Sequence, residues 1–336
     1  MKAVAFFRPL PIDDPESLVD VTLDKPAPSG RDLLVKVAAV SVNPVDTKVR
    51  RRPVTDPDKP KVLGWDAAGT VEAAGGDCVF FKPGDKVWYA GSIDRPGSDA
   101  EYQLVDERIV GRMPKNLSFA EAAALPLTTI TAWEMLFDRF ALRIGKPPLA
   151  GALLIIGGAG GVGSIAVQLA RRLTGLDVIA TASRPETQAW CRELGAHYVV
   201  DHARPLAEQL AAIGHKTVEY IFSTTATEQH LPAIPELLAP QGKFGLIDDP
   251  KALDALRFKR RSASIHWEFM FTRPVFRTPD MIQQHALLNE AARLVEDGLI
   301  RSTLTDTLGR ISATNLKRAH ALIESGRARG KIVLEW

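Results

Sequence analysis

A glycine-rich segment at residues 157–163 has the residue types and spacing of a phosphate-binding turn. It follows an apolar run, 153–157, and precedes a run with helical periodicity. Small residues let backbone amides approach a pyrophosphate, and the helix N-terminus faces the phosphate charge. The segment therefore predicts a dinucleotide site; a turn that only packs a strand on a helix is the alternative. The predicted cofactor contacts are Gly158, Ala159, Gly160, Gly161, Val162 and Gly163.

The tip of the next predicted strand bears on the choice of cofactor. An NAD-binding unit usually has an acid about 20 residues beyond the glycines, where it binds the ribose hydroxyls. This chain has Ser183 and Arg184 there, and a hydroxyl and a guanidinium hold a phosphate by charge-assisted bonds. The pattern favours NADPH over NADH, with a solvated arginine as the alternative. His202 is either a further contact to the adenosine end or a surface histidine.

The elements that must position these residues alternate between strands and helices from residue 153 onward. Apolar runs predict strands at 153–157, 177–181, 198–201, 218–224 and 243–247. Helices are expected at 164–174 and 185–194. This alternation predicts an α/β fold with a doubly wound parallel sheet.

The N-terminal half has a different sequence pattern, which is typical of short β-strands. Short β-like runs such as 33–42 and 86–90 lie between Pro and Gly turns, which predicts a small barrel or sandwich. Ser118 and Glu121 form a capping-box pattern that predicts a helix starting at 119. Further helices are expected at 131–142 and 281–298, and a final strand at 331–336.

The composition of the chain indicates which classes of partner and which cellular compartment to expect. The chain has 336 residues, enough for two domains, and its formal net charge of +2 leaves no broad positive field for nucleic acid or anionic lipid. Cys78 and Cys191 are too few for a disulfide framework, so a reducing cytoplasm is expected. Residues 149–170 carry no charge, but their glycines favour a strand and a helix over a membrane span. A small-molecule partner follows.

Two N-terminal motifs complete a resemblance to a known family. The segment 40–46, VSVNPVD, is similar to an N-x-x-D motif, and 64–71, GWDAAGTV, to G-x-D-x-x-G-x-V. With the glycine turn, they resemble the medium-chain dehydrogenase/reductase superfamily, in its zinc-free quinone oxidoreductase branch. The resemblance implies a barrel-like, GroES-like catalytic domain (1–126 and 268–336), a Rossmann-type domain (127–267) and a homodimer. It also implies hydride transfer from NADPH to a quinone or α,β-unsaturated carbonyl.

The positions that resemble a metal site have other residue types. Zinc-dependent alcohol dehydrogenases of this superfamily have a cysteine at the first motif and a histidine followed by an acid at the second. This chain has Asn43, Trp65 and Asp66 there, and no histidine occurs before His197. A site with three nitrogen or sulfur ligands cannot be built in this half, so no zinc is expected.

Asn43 and Asp46 are the first candidates for chemistry. The Asn43 amide can donate to a carbonyl oxygen or fix the nicotinamide ribose, with Asp46 orienting it; an Asx-type turn with Pro44 is the alternative. Thr128 and Thr131 rank second, since the family places cofactor or substrate contacts there, although helix capping uses hydroxyls equally well. No obligatory proton donor is identifiable, and water can supply the proton.

Aromatic residues are candidates for a substrate pocket, namely Trp65, Trp267 and Phe271. For the segment 266–273, a core or subunit-interface role explains the residues equally well. Two other functions stay open: an alcohol dehydrogenase or ketone reductase of the same superfamily, and an NADPH-binding sensor without activity.

Overall fold

The computed structural model describes residues 1–145 and 151–336. The chain divides into two compact units. The first comprises Met1–Ile130 and Phe271–Trp336, and the second comprises Thr131–Met270.

The strands follow the chain in this order: β1 (Lys2–Phe6), β2 (Val19–Thr22), β3 (Asp32–Val42), β4 (Lys61–Val62), β5 (Ala67–Ala74), β6 (Lys86–Tyr89), β7 (Tyr102–Asp106), β8 (Val110–Arg112), β9 (Ala152–Ile156), β10 (Asp177–Thr181), β11 (Tyr198–Val200), β12 (Val218–Ser223), β13 (Leu238–Leu246), β14 (Ser264–Trp267), β15 (Leu304–Arg310) and β16 (Lys331–Glu335).

The α-helices are α1 (Pro44–Arg50), α2 (Phe119–Ala123), α3 (Pro126–Trp133), α4 (Gly161–Leu173), α5 (Pro185–Glu193), α6 (Leu206–Ala212), α7 (Thr227–His230), α8 (Ile234–Leu237), α9 (Thr272–Phe276), α10 (Gln283–Glu296) and α11 (Ala313–Glu324). Short 3-10 helices occupy Glu107–Ile109 and Ala255–Arg261. A π-helical stretch, Glu134–Arg139, follows α3, so the helix expected over 131–142 changes its hydrogen-bonding pattern after Trp133.

The second unit contains a parallel sheet with the strand order β11-β10-β9-β12-β13-β14. Every pairing in it is parallel. Numbered along the unit, this order is 3-2-1-4-5-6, which is that of dinucleotide-binding domains. The predicted doubly wound sheet is confirmed. Its apolar core includes Leu154, Ile179, Ile221 and Phe244, all fully buried.

The first unit is dominated by β-structure. One sheet has the order β2-β1-β4, and a larger one has the order β15-β16-β3-β5-β6-β8, with β7 also pairing with β3. The last strand, β16, runs antiparallel to β3 with Ile332 opposite Val42. This pairing brings residues from the two ends of the chain together. The predicted capping box of Ser118 and Glu121 is confirmed at α2.

The uncharged stretch 149–170 supplies β9, the glycine turn and the start of α4; Leu149 and Ala150 lie outside the described residues. Over residues 1–145 and 151–336, no helix has both the length and the apolar composition needed to span a bilayer.

Candidate functional site

The glycine turn, residues 157–163, joins β9 to α4 in the second unit. Gly157 has a φ of +82°, a conformation that L side chains rarely adopt. Gly160 is the N-cap of α4, and Ser164 N–H donates to Gly160 O at 2.8 Å. The amides of the first helical turn have no intrahelical acceptor, so they are available to an anion at this end.

The glycines of the turn differ in the space around them. A Cβ on Gly163 would lie 2.2 Å from Gly157 O, and one on Gly158 would lie 2.7 Å from Ala180 Cβ. A Cβ on Gly160 would meet its nearest neighbour only at 3.5 Å. Gly158 and Gly163 are therefore required by close packing, whereas the small size of Gly160 leaves room on the outer side of the turn.

Thr181, at the end of β10, braces the turn from behind. Gly157 N–H donates to Thr181 Oγ1 and Gly158 N–H donates to Thr181 O, both at 3.0 Å. Thr181 Oγ1 also lies 3.1 Å from His202 Nδ1. The hydroxyl therefore links the turn to the ring of His202, which is half-buried.

Ser183 and Arg184 lie just beyond β10. Ser183 is exposed, Arg184 is half-buried, and Arg184 Nε lies 3.0 Å from Glu186 Oε1. The turn, the helix N-terminus and this hydroxyl–guanidinium pair fit the pyrophosphate and the ribose phosphate of NADPH. Both parts belong to the second unit.

Four buried polar residues of the first unit form a second site, here called the Lys331 cluster: Ser41, Asn43, Asp66 and Lys331. Ser41 is in β3, and Asn43 is the N-cap of α1, with Pro44 at the first helical position. Asp66 immediately precedes β5, and Lys331 begins β16. Strand pairing with β3 therefore brings the four side chains together.

Lys331 and Asp66 bind the oxygen and the nitrogen of the Asn43 amide, respectively, and also contact each other. Lys331 Nζ donates to Asn43 Oδ1 and to Val42 O, the latter at 3.2 Å, and lies 3.1 Å from Asp66 Oδ2. Asn43 Nδ2 donates to Asp66 Oδ2 at 3.2 Å and to Ser41 O at 3.3 Å. Both amide hydrogens thus have acceptors within the protein, and the bond to Ser41 O is the longer.

Asp66 accepts hydrogen bonds from two further donors. Ser41 Oγ donates to Asp66 Oδ2 at 2.8 Å, and Leu127 N–H donates to Oδ1 at 3.1 Å. Burial raises the pKa of Asp66, and the Lys331 ammonium is the strongest influence in the opposite direction. Burial also raises the pKa of Asp46 to about 7, and that of Asp99 well above its ordinary range.

Asp46 and Thr128 make local bonds. Asp46 Oδ2 accepts the backbone N–H of Asn43 at 2.6 Å, which is a capping bond at the start of α1. Among the described contacts, the Asp46 carboxyl makes no bond to the Asn43 side-chain amide. Thr128 Oγ1, on α3, donates to the carbonyl of Leu125, just before that helix, at 3.1 Å. Thr131, also on α3, is buried.

The three aromatic candidates fall in different places. Trp65 is fully buried, donates to Ser92 O at 3.0 Å and contacts the edge of Phe271, also buried, at 6.2 Å between ring centres. Ser92 lines a cavity of about 570 Å³ in the first unit. Trp65 therefore packs behind one of the lining residues of this cavity. Trp267 belongs to the second unit, where it ends β14 and is half-exposed.

The residues present do not fit a zinc ion. Over residues 1–145 and 151–336, no group of three or more His, Cys, Asp or Glu side chains is placed to hold a metal. At the positions where zinc-dependent relatives have their ligands, Asn43 and Asp66 bind an ammonium group and the Trp65 indole donates to a backbone carbonyl. The oxygen atoms that could have contacted a metal ion here contact the Lys331 ammonium instead.

Ser41 and Lys331 were not predicted from the sequence as site residues. A lysine at the start of an apolar strand, after Gly330, was the only signal for Lys331, and it resembles any strand beginning. A second missed group is Glu268 in the second unit. Burial and then the Glu134 carboxyl raise the pKa of Glu268 to about 9, and Arg139 Nε lies 2.8 Å from it.

Comparisons with known families match both units. The alcohol dehydrogenase GroES-like domain matches residues 29–126, and the zinc-binding dehydrogenase family matches residues 194–334. The first match confirms the expected GroES-like domain in the first unit.

Two curated relatives and two solved structures are similar over most of the chain. A zinc-type alcohol dehydrogenase-like protein of Staphylococcus aureus strain COL is 45% identical over 99% of each chain. The 2-methylene-furan-3-one reductase of Solanum lycopersicum is 31% identical over 90% of this chain and 71% of its own. A crystal structure from Rhizobium etli CFN 42, of a candidate zinc-dependent alcohol dehydrogenase, is 60% identical with a TM-score of 0.95, covering 100% and 98%. Escherichia coli quinone oxidoreductase complexed with NADPH shares the fold, with 21% identity and a TM-score of 0.83 over both full chains.

Proposed function

The chain belongs to the medium-chain dehydrogenase/reductase superfamily, and from that premise we propose that it is an NADPH-dependent oxidoreductase that reduces quinones or α,β-unsaturated carbonyls without a catalytic metal. The observation that carries the proposal is the Lys331 cluster. Two of the three positions where zinc enzymes of the superfamily have ligands, Asn43 and Asp66, bind the Lys331 ammonium. Direct alcohol oxidation needs a Lewis acid to make an alkoxide, whereas a conjugated acceptor carries its own developing charge.

Cofactor binding is assigned to the second unit. NADPH, when bound, supplies the hydride. The amides of the glycine turn, from Gly158 to Gly163, would bind the pyrophosphate, and Ser183 and Arg184 would bind the 2'-phosphate. His202, held by the Thr181 hydroxyl, would contact the adenosine end. Escherichia coli quinone oxidoreductase, which shares the fold, has NADPH bound in its crystal structure.

The first unit would polarise the acceptor. Asn43 is the proposed donor to the substrate carbonyl, which would replace Ser41 O as the acceptor of one amide hydrogen. Thr128 and Thr131 are the second candidates for contacts with the substrate or cofactor. Trp65 and Phe271, both buried in the first unit, would shape the acceptor pocket by packing behind its lining residues. Trp267, in the second unit, is assigned to the subunit interface instead. The final proton would come from water, and the relative that reduces a methylene-furanone supports an enone acceptor.

We also propose that the protein is a cytoplasmic homodimer that pairs through β14. This strand ends the six-stranded sheet, so one of its edges is available for further pairing. Trp267 and Phe269, at and just after its end, are 54% and 47% exposed. Apolar side chains next to a strand edge are typical of an interface.

The test is NADPH oxidation by purified protein that has been treated with a chelator, followed by its near-ultraviolet absorbance. The acceptors are a quinone, a cyclic enone, a simple ketone and a simple aldehyde, each tried with NADPH and with NADH. We expect turnover of the quinone or the enone, with NADPH preferred. Activity only with the ketone or aldehyde and only after zinc is added would show a metal-dependent alcohol dehydrogenase. NADPH binding without oxidation by any acceptor would show a sensor.

A further inference from the structure

The Lys331 ammonium is enclosed by oxygen atoms in the first unit. Its neighbours are Asn43 Oδ1, Val42 O and Asp66 Oδ2, and Lys331 is 3% exposed. Three oxygen ligands around a buried cation form the kind of shell that a metal ion would otherwise have. Here the cation is covalently part of the chain, at the first residue of β16.

The charge of Lys331 determines the orientation of the Asn43 amide. An ammonium group has three donors and no acceptor, so the atom of Asn43 that faces it must be Oδ1. Nδ2 then points to Asp66 Oδ2 and Ser41 O, as observed. Asp66 Oδ2 and Ser41 O only accept, so they favour the same orientation from the Nδ2 end, while Lys331 holds the Oδ1 end. Without Lys331, Oδ1 would lose the donor that holds it, and the amide would be less firmly fixed.

A buried ion pair usually adds little net stability to a fold, because the cost of desolvating both charges offsets their attraction. Asp66 is fully buried and Lys331 nearly so. Replacing both by neutral side chains of similar shape is therefore expected to preserve the fold. A role in orienting Asn43 gives a reason for the pair that stability alone does not.

We propose that Lys331 is a positioning residue whose ammonium takes the place of the catalytic metal of zinc-dependent relatives. By holding Asn43 Oδ1, it keeps Nδ2 beside Asp66 and Ser41 O, and the acceptor carbonyl would replace Ser41 O as the partner of one amide hydrogen. This inference rests on the proposed function, because it assigns Asn43 as the donor. Lys331 acts through Asn43 and Asp66 and is not assigned any contact with substrate.

The experiment compares Lys331→Met, Lys331→Arg and the double variant Lys331→Met/Asp66→Asn with the wild type. Lys331→Met leaves Asp66 without its cation and is expected to lower both thermal stability and kcat. The double variant removes both charges and is expected to recover thermal stability. Its kcat with the best acceptor is expected to stay about 10- to 100-fold low, with NADPH affinity unchanged. Lys331→Arg keeps the charge and is expected to retain more activity than Lys331→Met.

Lys25→Met is the matched control, because it removes a lysine that forms an exposed pair with Glu72. It is expected to change neither stability nor kcat. Recovery of kcat together with stability in the double variant would overturn the proposal, since the pair would then be structural only. Equal kcat losses in the arginine and methionine variants would overturn it as well.

A second measurement does not depend on turnover. With asparagine labelled by nitrogen-15, hydrogen exchange of the Asn43 side-chain amide reports how firmly it is held. Exchange is expected to be slow in the wild type and in Lys331→Arg, and at least about tenfold faster in the folded double variant. Unchanged exchange would overturn the positioning role. If no acceptor in the panel supports NADPH oxidation by the wild type, the proposed function fails. The exchange measurement still decides whether Lys331 positions the Asn43 amide.

Discussion

The glycine turn and the Lys331 cluster are built in opposite ways. The turn consists of seven consecutive positions braced mainly by Thr181, the last residue of the next strand. In the Lys331 cluster, the contact between Lys331 and Asn43 joins residues 288 positions apart. A site made from neighbouring residues is visible in composition and spacing. A site made by strand pairing consists of ordinary residues until the strands meet.

The two regions also differ in what holds them together. The turn depends on the absence of side chains at Gly158 and Gly163, because a Cβ on Gly163 would meet a backbone oxygen at 2.2 Å. The cluster depends on the balance of buried charges, with Asp66 and Lys331 both almost without exposure. Changes in charge should therefore disrupt the cluster, and changes in volume should disrupt the turn.

The largest effect is expected for Asp66→Asn. This variant leaves the Lys331 ammonium buried without its counter-ion, and we expect the free energy of unfolding to fall by about 3–5 kcal/mol. Urea unfolding followed by tryptophan fluorescence measures it. Glu72→Gln is the control, because Lys25 and Glu72 are about 40% and 38% exposed and such pairs contribute under about 1 kcal/mol. Equal losses in both variants would show that burial does not set the cost.

The next effect concerns the pH dependence contributed by Asp46. Its pKa is raised from 3.8 to about 7, because burial disfavours the carboxylate. Between these two pH values, Asp46 keeps its proton in the folded protein, whereas the unfolded chain has released it. The stabilisation is fully present below the ordinary pKa and is lost as the pH rises through about 7.

Asp46→Asn keeps an acceptor for the Asn43 N–H but does not ionise. We expect the variant to gain about 2–3 kcal/mol on the wild type between pH 5 and pH 8, as measured by urea unfolding at both pH values. A constant difference between the two proteins would mean that Asp46 titrates near its ordinary pKa.

In the glycine turn, Gly163→Ala is expected to lower the free energy of unfolding by about 1–3 kcal/mol, because the added methyl group overlaps backbone atoms. Gly160→Ala is the matched control, since its Cβ would have 3.5 Å of space and alanine at an N-cap costs about 1 kcal/mol or less. Thermal unfolding of both variants decides the comparison. A greater loss for Gly160→Ala would contradict the close packing inferred at Gly163.

The smallest effect is expected at the edge of the cofactor site. Arg184→Gln should weaken NADPH binding about tenfold and leave NADH binding unchanged, because one charge-assisted bond to the 2'-phosphate is lost. Fluorescence titration with both cofactors measures it. Arg192→Gln is the control, because Arg192 is exposed on α5, the helix that has Arg184 as its N-cap. Equal weakening for both cofactors would remove Arg184 from phosphate recognition.

Several elements were predictable because their signals are local. The parallel strands around β9 and β10, the turn between β9 and α4 and the capping box at α2 all follow from periodicity, glycine placement and short-range hydrogen bonds. The change to π-helical bonding after Trp133 was not predictable, because apolar spacing does not distinguish it from an α-helix. The short strand β14 was also missed, since its polar and aromatic residues carry no clear alternation.

The sequence by itself determined the parallel sheet, the glycine turn and the absence of zinc-type residues at the metal positions, because these depend on residues close together in the chain. Only the tertiary structure decided that Lys331 meets Asn43 and Asp66, and that Trp65 packs on Phe271. The physical reason is that β16 pairs with β3 across nearly the whole chain. The register of such a pairing is set by the packing of the complete sheet, to which residues adjacent to Lys331 contribute only a part.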